Sequence, residues 1–158
     1  MYYKACSKDL TGFGGFSFEP GSVYETDNPD NWRWFHYTKA LKHTLRFYHE
    51  PDTRFLEVKP LGHRRHFVTG DSNYWTTDRL QIVRELNREE VYALLLEEGC
   101  SFYDLCQLDP PYEIMKKILP KRLSDGMKQR IATRPDLTLE QKKDLLPVSW
   151  LKHLHEIA

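Results

Sequence analysis

The chain has 158 residues, with 23 basic and 23 acidic side chains and a formal net charge of zero. A hydrophobic content of 40% beside 29% charge is that of a globular protein and excludes wholesale disorder. Zero net charge argues against a dedicated DNA binder, which carries excess positive charge, and against an acidic DNA mimic.

The balance holds on both sides of Leu86, with 12 basic against 11 acidic residues before it and 11 against 12 after it. No apolar run approaches the roughly 18 residues that a membrane-spanning helix needs. The opening MYYKACSKDL lacks the apolar stretch of a signal peptide. A cytoplasmic location is expected, with no membrane partner. The cysteines are Cys6, Cys100 and Cys106, an odd count with no zinc spacing, and are expected as small buried hydrophobes.

Aromatic residues divide the chain, since 16 of the 21 lie in positions 1–86. Aromatic side chains pack well on a pleated sheet. The sequence therefore predicts an α+β protein: an antiparallel, aromatic-rich β domain with one short helix over residues 1–86, then a helical domain over residues 87–158.

Tyr2–Cys6 reads as the first strand. Gly12, Gly14 and Gly15 punctuate a turn before an alternating strand at 15–19, and Pro20-Gly21 makes a second turn before a strand at 22–25. After a polar loop, residues 32–37 alternate, with Trp32, Trp34 and His36 on one face and Arg33, Phe35 and Tyr37 on the other. Thr38 is placed to cap a helix running to about residue 49. Leu41, Leu45 and Tyr48 form its apolar stripe, and Lys39, Lys42, His43 and Arg46 lie opposite. Residues 53–61 read as a strand and HRRHFVT, between Gly62 and Gly70, as a hairpin strand. Residues 74–86 supply the last strand or two.

From residue 87 the spacing turns helical. Asn87 is a credible N-cap, followed by Glu89 and Glu90 in the first turn, a buried stripe of Val91, Leu94 and Leu95, and Gly99 as the stop. Further helices are predicted over 101–107, 111–119, 123–133, 139–146 and 149–157, separated by Pro120, Pro135 and Pro147. Thr138 and Gln141 have capping-box spacing. Residues 130–147 look like one unit of a degenerate helical-hairpin repeat, read here as a helical appendage and not a solenoid.

Several short elements of the first domain occur in a recurrent order. They are Tyr3-Lys4-Ala5, Lys8-Asp9-Leu10, Phe16-Ser17-Phe18-Glu19 with Gly21 and Tyr24, Phe35-His36, Leu41 and Tyr48, Arg54-Phe55-Leu56-Glu57-Val58 with Gly62, and the stretch 80–85. In this pattern residues 2–86 resemble a small domain of unknown function associated with phages and prophages. Two departures stand out: Trp34 where that family places glycine, and Lys39-Ala40-Leu41 where it favours Asn-Pro-Leu. The resemblance implies a phage origin and no particular chemistry.

The stretch from Phe35-His36-Tyr37-Thr38 to Tyr48 also looks like the middle of an ADP-ribosyltransferase-like fold. That likeness implies an open cleft near Tyr3, His36 and Tyr48. Such enzymes use an Arg or His on the first strand and a glutamate on a late strand. This chain offers Lys4 there, and Glu57 or Glu85 outside the usual Glu-x-Glu or Gln-x-Glu setting.

His63 and His66 fall on opposite strand faces, and His153 and His155 are two apart on a helix, so neither pair suits one metal. No catalytic residue, metal ligand or cofactor is assigned. Basic residues cluster in HRRH at 63–66 and on Lys39, Lys42 and Arg46, interleaved with Trp32, Trp34, Phe67 and Trp75. Arginine beside exposed aromatics is the composition of protein interface hot spots.

The function expected from this reading is a small phage or prophage accessory protein that binds a host protein. The expected mode is steric inhibition of a bacterial defence system, of anti-CRISPR or anti-restriction type. Its contact surface is expected at Trp32, Trp34, Arg64, Arg65 and Trp75. The alternatives are an ADP-ribosyltransferase-like enzyme using NAD and an RNA- or ssDNA-binding module.

Overall fold

The computed structural model describes residues 1–12, 14–70 and 72–157. Its architecture is α+β, antiparallel sheets followed by helices. By compactness the chain divides into two units, Met1–Cys100 and Ser101–Ala158.

In the first unit the strands are β1 (Tyr2–Cys6), β2 (Val23–Glu25), β3 (Phe35–Tyr37), β4 (Arg54–Pro60), β5 (Arg64–Thr69), β6 (Ser72–Thr77) and β7 (Arg79–Glu85). They form two antiparallel sheets, ordered β1-β4-β7-β2 and β3-β6-β5. Alternation sorts their side chains. Phe35 and Tyr37 from the smaller sheet meet Cys6, Leu56, Val58, Leu80 and Ile82 from the larger one, with Phe18 completing the core. Leu56, Leu80 and Ile82 are fully buried, each burial being worth about 1.5–3 kcal/mol. The sheets also share a backbone seam, where Tyr3 N–H donates to Thr38 O at 2.8 Å and Thr38 N–H to Tyr3 O at 2.9 Å.

The aromatic content drops at residue 86, where the sequence reading drew its domain boundary, but helix α1 (Arg88–Glu97) groups with the strands before it. Polar contacts tie it there. The Arg88 guanidinium donates to Thr53 O at 2.6 Å and also to Pro51 O. The Glu98 carboxylate accepts from Leu41 N–H at 2.7 Å and Lys42 N–H at 2.9 Å. Asn87 and Glu90 form a full capping box, and Gly99, at φ +69°, turns the chain out of the helix.

Three local expectations give way. Residues 15–19 form no strand, and Ser17 makes only a lone bridge to Thr11. Trp32 sits in a 3₁₀ turn, Asn31–Arg33, so the strand begins later, at Phe35. Thr38 does not cap a helix. It is buried in the seam and its hydroxyl donates to Ala40 O at 2.7 Å. A short 3₁₀ helix, Leu41–Arg46, starts three residues later with the Glu98 carboxylate at its first amides.

The second unit contains α2 (Phe102–Cys106), α3 (Tyr112–Ile118), α4 (Asp125–Thr133), α5 (Leu139–Leu145) and α6 (Leu151–Ile157), the last preceded by a 3₁₀ turn, Val148–Trp150. Ser101, Ser124 and Thr138 cap α2, α4 and α5, and Thr138 with Gln141 completes the predicted capping box. Met115, Ile131, Ala132, Leu145 and Leu154 form the core. Arg134, only 5% exposed, staples it. Its guanidinium donates to Pro110 O at 2.6 Å, Asp109 O at 3.1 Å and the Asp136 carboxylate at 2.6 Å. Among the described residues no helix is long and apolar enough to cross a membrane.

Candidate functional site

Beyond the Tyr3–Thr38 seam no further β1–β3 pair forms among the described residues, and a cavity of about 300 Å³ lies beside it. Each wall has a distinct origin. Tyr3, Lys4 and Ala5 come from β1; His36, Tyr37 and Thr38 from β3 and its end; Trp32 from the 3₁₀ turn before β3; Thr44, Phe47 and Tyr48 from the 3₁₀ helix and its exit; and Tyr74 from β6. The volume is at the lower end of the range for small-ligand sites. It admits one ring system with its immediate substituents.

Three of the lining rings form a triangle. His36 lies 5.3 Å from Phe47 and 5.6 Å from Tyr74, and Phe47 meets Tyr74 edge-on at 5.2 Å. Phe67 stacks on Tyr74 at 5.2 Å with planes 8° apart, backing that wall from the neighbouring strand. Arg46, which directly precedes Phe47, places its guanidinium 5.5 Å from the Tyr74 ring centroid and hydrogen-bonds the Thr69 hydroxyl on β5.

Burial sets the electrostatics. The His36 imidazole is held down to about 4, first by desolvation and then by the Lys4 amine, against a weaker opposing hydrogen bond with the Trp32 backbone. At neutral pH it is an uncharged ring with one donor and one acceptor. Lys4 is 5% exposed. Its amine donates to His36 O at 3.0 Å and lies 5.3 Å from the Phe18 ring centroid. Desolvation lowers its pKa, and no carboxylate pairs with it among the described residues. Burial raises the phenols of Tyr3 and Tyr48, and lifts that of Tyr37 to about 12. The wall is thus apolar and ring-rich, with hydroxyls from Thr38, Thr44 and Tyr48.

The cleft expected near Tyr3, His36 and Tyr48 coincides with this cavity, but the late-strand glutamates are engaged elsewhere. Glu85 is held by Arg54 in two bonds of 2.6 Å, which also lower its pKa, and Glu57 accepts from Arg84 at 2.8 Å. Neither lines the cavity.

The five residues expected to form a partner surface do not all share one face. Arg64 lies opposite Thr77 and His66 opposite Trp75, so Arg64 and Trp75 share one face of the smaller sheet. Arg65, opposite Thr76, is on the other face with Phe67 and Tyr74. Trp75 stacks on His66 at 4.2 Å and is half-buried. Trp34 donates from Nε1 to Asn28 O at 2.8 Å. Trp32, 49% exposed, borders the cavity. His63 pairs with Asp78 at 2.9 Å. Phe47 and Tyr74, which build the cavity, escaped the sequence reading. Tyr74 alternates with Trp75, which left its face open to inference from period two.

No curated protein and no solved structure matches the chain. A family model described as a domain of unknown function, DUF7666, matches residues 1–94, so it spans the strands, the cavity and most of α1. Neither the phage association nor the ADP-ribosyltransferase likeness expected from the sequence draws support from that match. Since the match covers more than half of its length, the chain belongs to the DUF7666 family.

Proposed function

We propose that the β unit is a ligand-binding module that takes a planar, uncharged heteroaromatic group into the cavity beside β1 and β3. The observation that carries this reading is the contacting ring cluster of His36, Phe47 and Tyr74 on the wall of a cavity of about 300 Å³, with the imidazole held neutral. Stacking on such rings contributes about 1–3 kcal/mol per base-sized group. The test is a fluorescence and NMR titration of the whole chain with adenine, uracil, nicotinamide and indole, repeated with Tyr74→Ala. Saturable binding by at least one ring, weakened about tenfold in the variant, supports the module. Absence of saturation, or equal affinity in the variant, refutes it.

A second reading is the phage or prophage accessory protein that binds a host protein in the cytoplasm and occludes a bacterial defence complex. It is favoured by Trp32, exposed with the Arg33 guanidinium 4.7 Å from its ring centroid. An affinity pull-down from bacterial lysate, with and without nuclease, tests it. A nuclease-resistant stoichiometric partner lost in Trp32→Ala supports this reading, and an empty pull-down refutes it. The transferase reading requires Glu57 or Glu85 to leave its arginine, and NAD turnover by the purified chain is its assay.

A further inference from the structure

We propose that the ligand of the cavity is a 5′-nucleotide whose phosphate is held at the rim by Arg46. This rests on the heteroaromatic-binding reading above and goes beyond it by naming an anionic group and the residue that takes it. Three observations combine. First, Arg46 directly precedes the cavity-lining Phe47 and reaches from the 3₁₀ helix to the Thr69 hydroxyl on β5. Second, that guanidinium sits 5.5 Å from the ring centroid of Tyr74, a cavity-lining residue. Third, Arg46 is exposed, and no carboxylate pairs with it among the described residues.

The neighbouring cations are otherwise placed. The Lys42 amine donates to Glu98 O at 3.1 Å, and Lys39 lies over Trp75 on the other face of the sheet. Arg65 shares the cavity face, one strand beyond His36 and Thr76, and supplies a second positive charge further out. Guanidinium planes bind phosphate bidentately, which a compact ammonium cannot do. A ring-lined cavity with an exposed guanidinium beside one of its wall rings fits a base that carries a phosphate.

The experiment is calorimetric titration of the whole chain with adenosine and AMP, guanosine and GMP, uridine and UMP, and nicotinate, at low and moderate salt. Arg46→Ala is compared with the charge-matched control Lys121→Ala, which lies in the other unit. We expect one monophosphate to bind at least tenfold more tightly than its nucleoside at low salt. That advantage, read as the ratio of the two affinities, shrinks with salt and disappears in Arg46→Ala, while it persists in the control. Equal affinity of nucleoside and nucleotide, or an advantage that survives Arg46→Ala, overturns the phosphate anchor and leaves the ring site standing. Nicotinate binding as tightly as the best nucleotide overturns the nucleotide assignment. If no ring compound binds at all, both readings fall.

Discussion

Glu98→Ala tests how the cavity wall is held. Its carboxylate accepts from Leu41 N–H at 2.7 Å and Lys42 N–H at 2.9 Å, the first amides of a 3₁₀ helix that lies 56 and 57 residues away in sequence. Bonds to a charged group are worth about 1.5–3 kcal/mol each. Partial exposure lets water replace part of that, and loss of an ordinary N-cap costs about 0.5–2 kcal/mol. The net expectation is a loss of about 2 kcal/mol in Glu98→Ala and about half of that in Glu98→Gln, which keeps one acceptor. Urea denaturation of the whole chain, followed by tryptophan fluorescence, reads this directly. The sign is diagnostic. Glu98 also ends α1, and an acidic group at a helix C-terminus is unfavourable by about 0.3–1 kcal/mol. If the carboxylate did not cap the distant helix, its removal would leave stability unchanged or raise it. A neutral or stabilising Glu98→Ala therefore refutes the reasoning.

The pKa of His36 lies near 4 in the folded chain against 6.5 for the free side chain, so the unfolded chain takes up a proton first as pH falls. Stability is full above pH 6.5 and declines toward pH 4 by at most about 3 kcal/mol from this group; urea midpoints across that window should fall less steeply in His36→Gln, and equal slopes would count against the buried neutral imidazole. Gly62→Ala should destabilise the β unit by about 1–3 kcal/mol, because a Cβ there would stand 1.9 Å from Asp78 Oδ1, the oxygen that accepts from His63 N–H; a wild-type melting curve would contradict it. Arg134→Met should cost the helical unit about 3 kcal/mol by stranding the carbonyls of Asp109 and Pro110, seen as a lower thermal midpoint by circular dichroism at 222 nm, and an unchanged midpoint would show that the staple is dispensable.

Where local patterning decides structure, the sequence was legible. The alternation of residues 53–61 produced β4, and Asn87 and Thr138 cap their helices as their positions suggested. Where distant groups decide, it was not. Thr38 has the composition of an N-cap, but the seam with Tyr3 claims its backbone and buries it. Glu98 carries no local sign of its partners, because they lie on another element. The cavity shows the same division. His36 and Tyr48 stood out from the sequence, but the seat is completed by Phe47 and Tyr74, brought together only when β6 pairs with β3. The partner surface was chosen by residue type, and period two on a strand already places Arg64 and Arg65 on opposite faces. That signal was readable in the chain.

The Tyr3–Thr38 seam also makes the molecule report on itself. Two amide protons, one from each sheet, exchange with solvent only when that pair opens, and opening it parts β1 from β3 without breaking either sheet. Both residues border the cavity. Their deuterium uptake therefore gauges how often the cleft gapes, and an occupant bridging the two strands slows both protons together while leaving the amides at the centre of β4 and β7 at their own pace.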